Sequence, residues 1–338
     1  MMDFTVIGHG VIGLTSASML AGRGHSVEVV ADRPWDATAS SAACAVWLPI
    51  FVAGGDGPAG DRAAQRVRRW AAQTYGAFRR MAAQDRGIRP VDLIRFGASD
   101  ADRPAVGEFA GELRTYHLPH LPEDMRYAWR FPSFVIEMDV YLRSLDAEIT
   151  ARGGRIRTGV HFTSLDDAVG RSAGRVVLNC TGLGSADLCK DTGFRPVKGV
   201  VLSHRQDRLD AILSTGSYVL APRSDRIALG AGYFTDYATE EPTPKEIDTI
   251  LAFHERWREL DLSALELTVP ELSADRITAA VGGLRPIRLG GVRLEAEEVG
   301  GRTVVHDYGH GGAGVTLSWG AAHEAVETAV AAWERTRP

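Results

Sequence analysis

Three glycine-bearing stretches and one arginine motif carry most of the chemistry that this chain offers. The first stretch is Gly8-His9-Gly10-Val11-Ile12-Gly13. It follows a short apolar strand and opens a run of small and aliphatic residues that reads as a helix. In that setting the first glycine permits a tight turn, the second lets the backbone approach a pyrophosphate, and the third allows close helix–strand packing. The helix N-terminus offers free N–H groups to the phosphates. Asp32 closes the next strand, where an acid accepts ribose hydroxyls. This fingerprint predicts a dinucleotide without choosing between FAD and NAD.

Two later segments bear on that choice. Val177-Leu178-Asn179-Cys180-Thr181-Gly182 is an apolar strand that ends in a small-residue turn. On its own it reads equally well as a second cofactor contact or as a plain strand-to-turn step. Gly309-His310-Gly311-Gly312-Ala313-Gly314 places four glycines just ahead of a helix. Backbone amides there reach a flat ring system, and the helix N-terminus stabilises an anionic reduced flavin. The cluster favours FAD. Other chemistries find little support. His117 and His120 lie in a proline-bearing loop with no third ligand type, so no metal site is expected. There is no GxSxG elbow and no P-loop.

The elements that position these groups are legible from period and punctuation. Phe4–Ile7, Val11–Ala21 and Ser26–Ala31 predict a βαβ unit, the opening of a doubly wound sheet. Gly54–Gly60 reads as a flexible loop and Arg62–Gln84 as a long helix. Asp139 reads as an N-cap for a helix closed by Gly153-Gly154. Arg175–Asn179 is a buried strand. Between about Pro196 and Arg285 short strands alternate, among them Tyr218–Ala221 and Arg226–Leu229. Thr243-Pro244-Lys245-Glu246, a capping box with proline at the first helical position, starts a helix to about Leu260. Val315–Trp333 is helical again. The expected class is α/β: a Rossmann-type domain from residues 1–80, 135–195 and 285–338, interrupted by a sheet-rich substrate domain from 81–134 and 196–284.

Bulk properties narrow the class further. The chain has 338 residues, 45% hydrophobic and 24% charged, with a formal net charge of −5. That balance gives no nucleic-acid footprint and no attraction to anionic membranes. Three cysteines, Cys44, Cys180 and Cys189, make no disulfide framework and fit a reducing compartment. The longest apolar run, near Ala42–Ala53, contains Pro49 and is too short to span a bilayer. No secretory h-region opens the sequence and no peroxisomal tripeptide closes it, so a cytoplasmic protein is expected. A homodimer is compatible with the sequence and not required by it.

With these motifs in order, nearly the whole chain resembles the D-amino acid oxidase family. The opening Gly8–Leu14 is similar to the family's, with His9 where alanine is commoner. Ala31-Asp32-Arg33 resembles its strand end, where the arginine reaches the adenosine part of FAD. Ser40-Ser41-Ala42-Ala43-Cys44-Ala45-Val46-Trp47-Leu48-Pro49 is similar to the segment that wraps the pyrophosphate and the flavin edge. Gly283-Leu284-Arg285-Pro286-Ile287-Arg288 resembles the substrate-arginine motif. Asp307–Thr316 with Trp319-Gly320 is similar to the C-terminal signature. Departures are Cys44 and Ala45, where alanine and glycine are frequent, Lys198-Gly199-Val200 for an Arg-Gly-Gln turn, and Ala313 for a tyrosine. The stretch before Tyr218 is too short for a long active-site lid.

The resemblance implies FAD as cofactor. It implies contacts from Gly8, Gly10, Val11, Ile12, Gly13, Asp32, Arg33, Ser40, Ser41, Cys44, Ala45, Val46, Phe162, Thr181 and Gly182. Gly311, Gly312, Ala313, Gly314, Val315 and Thr316 complete that set. Arg285 would clamp the substrate carboxylate through its planar fork. Tyr218 would add a hydroxyl to the same carboxylate, and Tyr233 would line the pocket. Read without the resemblance, both tyrosines are ordinary strand aromatics. The implied reaction is oxidative deamination of neutral D-amino acids by hydride transfer from Cα to flavin N5. It yields a 2-oxo acid and ammonia, and O2 reoxidises the flavin to give H2O2. Same-fold oxidases of D-aspartate, glycine or a biosynthetic amine, or a silent flavin-binding protein, are the alternatives. Arg223 and Arg288 are the cations that could admit an acidic side chain if they pointed inward.

Overall fold

The computed structural model describes residues 2–49, 58–106, 110–205, 208–237 and 239–336. Strand β1 (Met2–Ile7) leads through a glycine turn into helix α1 (Val11–Gly22) and strand β2 (Val27–Val30). β1 and β2 run parallel with Phe4 opposite Val27 and Val6 opposite Val29, so the expected βαβ unit is present. Helix α2 (Pro58–Met81) begins earlier than the arginine pattern suggested, with proline at its first position. Of the stretch Gly54–Gly60 read as a glycine loop, residues 54–57 lie outside the described residues and 58–60 belong to α2.

Two long strands and a short one follow: β3 (Ile88–Gly97), β4 (Arg114–His117) and β5 (Tyr127–Ile136). Helix α3 (Met138–Ala151) departs from expectation at its start. Glu137, not Asp139, holds the N-cap position and makes no side-chain cap. Its carboxylate instead accepts the Ser224 amide at 2.9 Å and faces Arg223 at 3.7 Å. Asp139 lies in the first turn, where a negative charge still favours the helix dipole.

Strand β6 (Arg155–Arg157), helix α4 (Leu165–Arg171), strand β7 (Gly174–Asn179) and the short helix α5 (Ser185–Leu188) come next. Strands β8 (Val197–Arg205), β9 (Ile212–Thr215), β10 (Tyr218–Pro222) and β11 (Arg226–Phe234) form the alternating region. Helix α6 (Pro244–Glu255) starts at the expected capping box: Thr243 Oγ1 accepts the Glu246 amide, and Glu246 accepts the Thr243 amide at 2.7 Å. Strands β12 (Ile277–Arg285), β13 (Arg293–Val299) and β14 (Arg302–Tyr308) precede the final helix α7 (Gly314–Arg335).

Among the described residues these strands make two sheets. One has the order β13-β14-β7-β1-β2-β6 and is parallel except for the β13–β14 pair. The other has the order β12-β8-β11-β10-β9-β3-β5-β4 and is antiparallel except where β3 meets β9. A single buried cluster runs through Phe4, Leu14, Trp47, Phe78, Phe134 and Val326, so residues of both sheets share one core. A second cluster, with Leu202, Leu220, Leu229, Ile250 and Trp257, seats α6 on the far face of the eight-stranded sheet. No helix among the described residues is long and apolar enough to cross a membrane.

Candidate active site

A cavity of about 620 Å³ opens where β1, β2, β7 and β14 end. That is where ligands bind to an open parallel sheet, beyond the carboxyl ends of its strands. Gly8 makes the turn at φ +122°, and a Cβ there would collide with the Cys180 carbonyl. A Cβ on Gly13 would meet the Gly8 carbonyl, so this third glycine serves packing and does not line the cavity. Gly10 stands at the N-cap of α1, whose first amide, from Val11, donates to Ser40 Oγ at 3.0 Å. The next amides of the turn have no intrahelical carbonyl to reach and are available to an anion.

Asp32, Arg33 and Phe162 line one end of the cavity, Gly8, Gly10, Val11, Ile12, Ser40, Thr181 and Gly182 its middle. Cys44, Arg285, Gly311, Gly312, Gly314 and Val315 line the remainder. Burial pushes the Cys44 thiol above its ordinary pKa, which keeps it an inert part of the wall. Other residues implied as contacts sit just behind this surface. Ser41 Oγ donates to the Asp36 and Thr38 carbonyls. The Ala45 carbonyl accepts the Ile136 amide, and Val46 bridges to Val135, so both tie the wrapping segment to β5. Thr316 Oγ1 donates to the Leu48 carbonyl at 3.2 Å, and Ala313 packs against the core.

At the end remote from Asp32 the guanidinium of Arg285 lies 5.0 Å from the centroid of the Tyr233 ring. Nη1 of Arg285 donates to the carbonyls of Gly232 at 2.6 Å and Lys198 at 3.4 Å. No carboxylate pairs with it among the described residues, and burial lowers its pKa from the usual arginine value. Tyr233 itself is half-exposed above this cation and does not line the cavity.

Tyr218 falls on the other side of the sheet. Its ring stacks on Phe253 of α6, with centroids 3.4 Å apart. Its neighbours Ser217 and Val219 line the cavity instead. Alternation along a strand sends successive side chains to opposite faces, so a tyrosine between two inward residues must point away. Arg223 is buried and donates to the Ile136 and Cys44 carbonyls. Arg288 holds Asp191 at 2.7 Å. Both arginines are committed to structure.

Several lining residues were not anticipated, among them His9, Gly199, Val201, Val219, Glu240 and Asp307. His9 is buried, with Nε2 2.6 Å from Asp146. Gly199 and Val201 alternate on β8, a signal present in the sequence but unreadable until the inward face is known. The cavity fits an extended dinucleotide: a collision-limited glycine turn in its middle and buried polar atoms, His9 Nδ1 and both Asp307 oxygens, with no hydrogen-bond partner among the described residues.

Comparison with known proteins agrees with this geometry. The family model described as FAD dependent oxidoreductase matches residues 3–328. A D-amino-acid oxidase of Rubrobacter xylanophilus is 36% identical over 97% of this chain and 95% of its own. One of Streptomyces coelicolor is 32% identical over 97% of this chain and 96% of its own. The glycine oxidase structure of Bacillus cereus superposes with a TM-score of 0.73 at 19% identity, covering 98% of this chain and 95% of that one, and shows the same fold. The sequence resemblance thus holds over nearly the whole chain, FAD is the cofactor, and the chain belongs to the D-amino acid oxidase family of FAD-dependent oxidoreductases.

Proposed function

We propose that the chain oxidises neutral D-amino acids to 2-oxo acids, with release of ammonia and H2O2. The observation that carries this reading is Arg285: a partly buried guanidinium with no carboxylate partner among the described residues, at the end of the cavity remote from Asp32. Such a cation is costly to keep unpaired unless a ligand supplies the anion. The Gly232 and Lys198 carbonyls fix Nη1 and so orient the fork. Nε and Nη2, unbonded among the described residues, then offer the substrate carboxylate two charge-assisted bonds. Val201, Val219 and Gly230 give an apolar wall for the substrate side chain.

FAD, when bound, supplies the two-electron acceptor for the substrate Cα–H. The chain's own contribution is alignment and exclusion of water, which needs no protein base when the amine arrives neutral. With the carboxylate held, one enantiomer alone presents its Cα–H to the cofactor while its side chain meets the apolar wall. An acidic side chain would need a second cation. Arg223 and Arg288 are committed to Cys44, Ile136 and Asp191, so D-aspartate is disfavoured. A silent flavin carrier would have no use for an unpaired Arg285.

The test is an H2O2-coupled screen of D-alanine, D-valine, D-methionine, D-aspartate, glycine and L-methionine, with anaerobic bleaching of the yellow holoprotein as a second readout. The neutral D-amino acids should lead in kcat/KM and L-methionine should be inert. A series led by D-aspartate or glycine would overturn the substrate class. Arg285→Met should raise KM on the order of 10²–10³, the equivalent of roughly 3–4 kcal/mol, with FAD still bound.

A further inference from the structure

Asp307, the penultimate residue of β14, lies beside Cys180, because His306 and Asn179 are register partners in the preceding position. It is 0% exposed and lines the cavity. Neither carboxylate oxygen has a hydrogen-bond partner among the described residues. His310 Nε2 comes within 3.2 Å of Oδ1, ion-pair distance when the ring is protonated, yet makes no hydrogen bond to it. A buried carboxylate in this condition costs several kcal/mol unless a ligand brings donors. The cavity that Asp307 borders is the direction from which such donors would come.

The chemistry of the ligand decides which part of it they belong to. The pyrophosphate is an anion and repels a carboxylate, and its place is the amides of the glycine turn. The adenosine ribose belongs to Asp32 and Arg33 at the far end. Between pyrophosphate and ring system lies the ribityl chain, a polyol whose hydroxyls donate. We propose that Asp307 is a cofactor-binding residue that accepts hydrogen bonds from the ribityl hydroxyls, with His310 positioned behind it.

The test is competition for the site between FAD and an FAD analogue deoxygenated in the ribityl chain, starting from the holoprotein and read by equilibrium dialysis. The wild type should prefer FAD by tenfold or more. In Asp307→Ala that preference should collapse towards unity, with the FAD dissociation constant raised about 10–100-fold. Asp307→Asn, which keeps one acceptor, should fall between them and serves if the alanine variant fails to fold. Melting of the dialysed apoprotein supplies a sign test: removing an unpartnered buried carboxylate should leave Tm unchanged or raise it. A preference for FAD that survives in both variants would overturn the proposal. So would an unchanged FAD dissociation constant accompanied by a lowered apoprotein Tm, the signature of a carboxylate that serves the fold through His310.

Discussion

A methyl group added at Gly199 would overlap the guanidinium of Arg285. The collision is with the group proposed to clamp the substrate carboxylate, which must shift to make room. Gly199→Ala should therefore raise KM by tenfold or more while flavin absorbance per protein stays at the wild-type value; an unaltered KM would show that Arg285 does not hold the substrate. At this scale legibility was uneven. Arg285, at the cavity, could be singled out because its neighbours form a recognisable motif, and Asp32, at the cavity too, because an acid at a strand end has a known use. Tyr218 was assigned to the wrong face, since a shift of one residue in a strand exchanges its two sides and only the register with β9 and β11 settles which side is inward. Asp307 was passed over within a quoted signature, because a carboxylate without partners is visible only once its surroundings are placed.

The loop ahead of α6 is pinned by two devices of different strength. Thr243 caps the helix, and the buried Lys198 reaches Glu246 at 2.9 Å and the Glu241 carbonyl at 2.5 Å. Thr243→Ala removes one capping bond and should cost about 1 kcal/mol. Lys198→Met leaves Glu246, itself buried, without its cation, and should cost roughly 3–5 kcal/mol. Denaturant melts of the two variants test the order; equal losses would mean that Glu246 recovers a partner or a proton. The capping box was plain in the sequence because its chemistry is local. The strands β3 and β5 were not read as strands, although each runs for 10 residues. Pro90 interrupts the β3 pattern, and the structure tolerates it because that part of β3 pairs with β5 alone, with β9 joining from Leu93 onward.

For the molecule as a whole, acid sensitivity has an identifiable contributor in His254. It is fully buried on α6, and burial lowers its pKa to about 3, far below the ordinary 6.5. Trp257 donates its indole N–H to Nδ1 at 3.3 Å, which suits the neutral ring. The unfolded chain binds a proton at about pH 6.5 and the folded one does not. This contribution is therefore complete above pH 6.5 and shrinks as pH falls towards 3, by at most about 1.4 kcal/mol per pH unit. His254→Gln should flatten the decline of Tm between pH 6.5 and 4; a slope identical to wild type would assign the acid lability elsewhere. The pairing of β1 has a consequence of another kind. Its neighbours are β2, complete by residue 30, and β7, which ends at Asn179, while β14 joins β7 only after residue 302. Helix α7, packed on α1 and α2, spans Gly314–Arg335. During synthesis the first βαβ unit therefore waits with both edges unpaired until β6 and β7 have left the ribosome, and the far edge of β7 and the cover that α7 gives to α1 wait for residues beyond 302. A nascent protein of this design is exposed to chaperones and proteases for most of its translation, and the nucleotide fold it begins is the last thing it finishes.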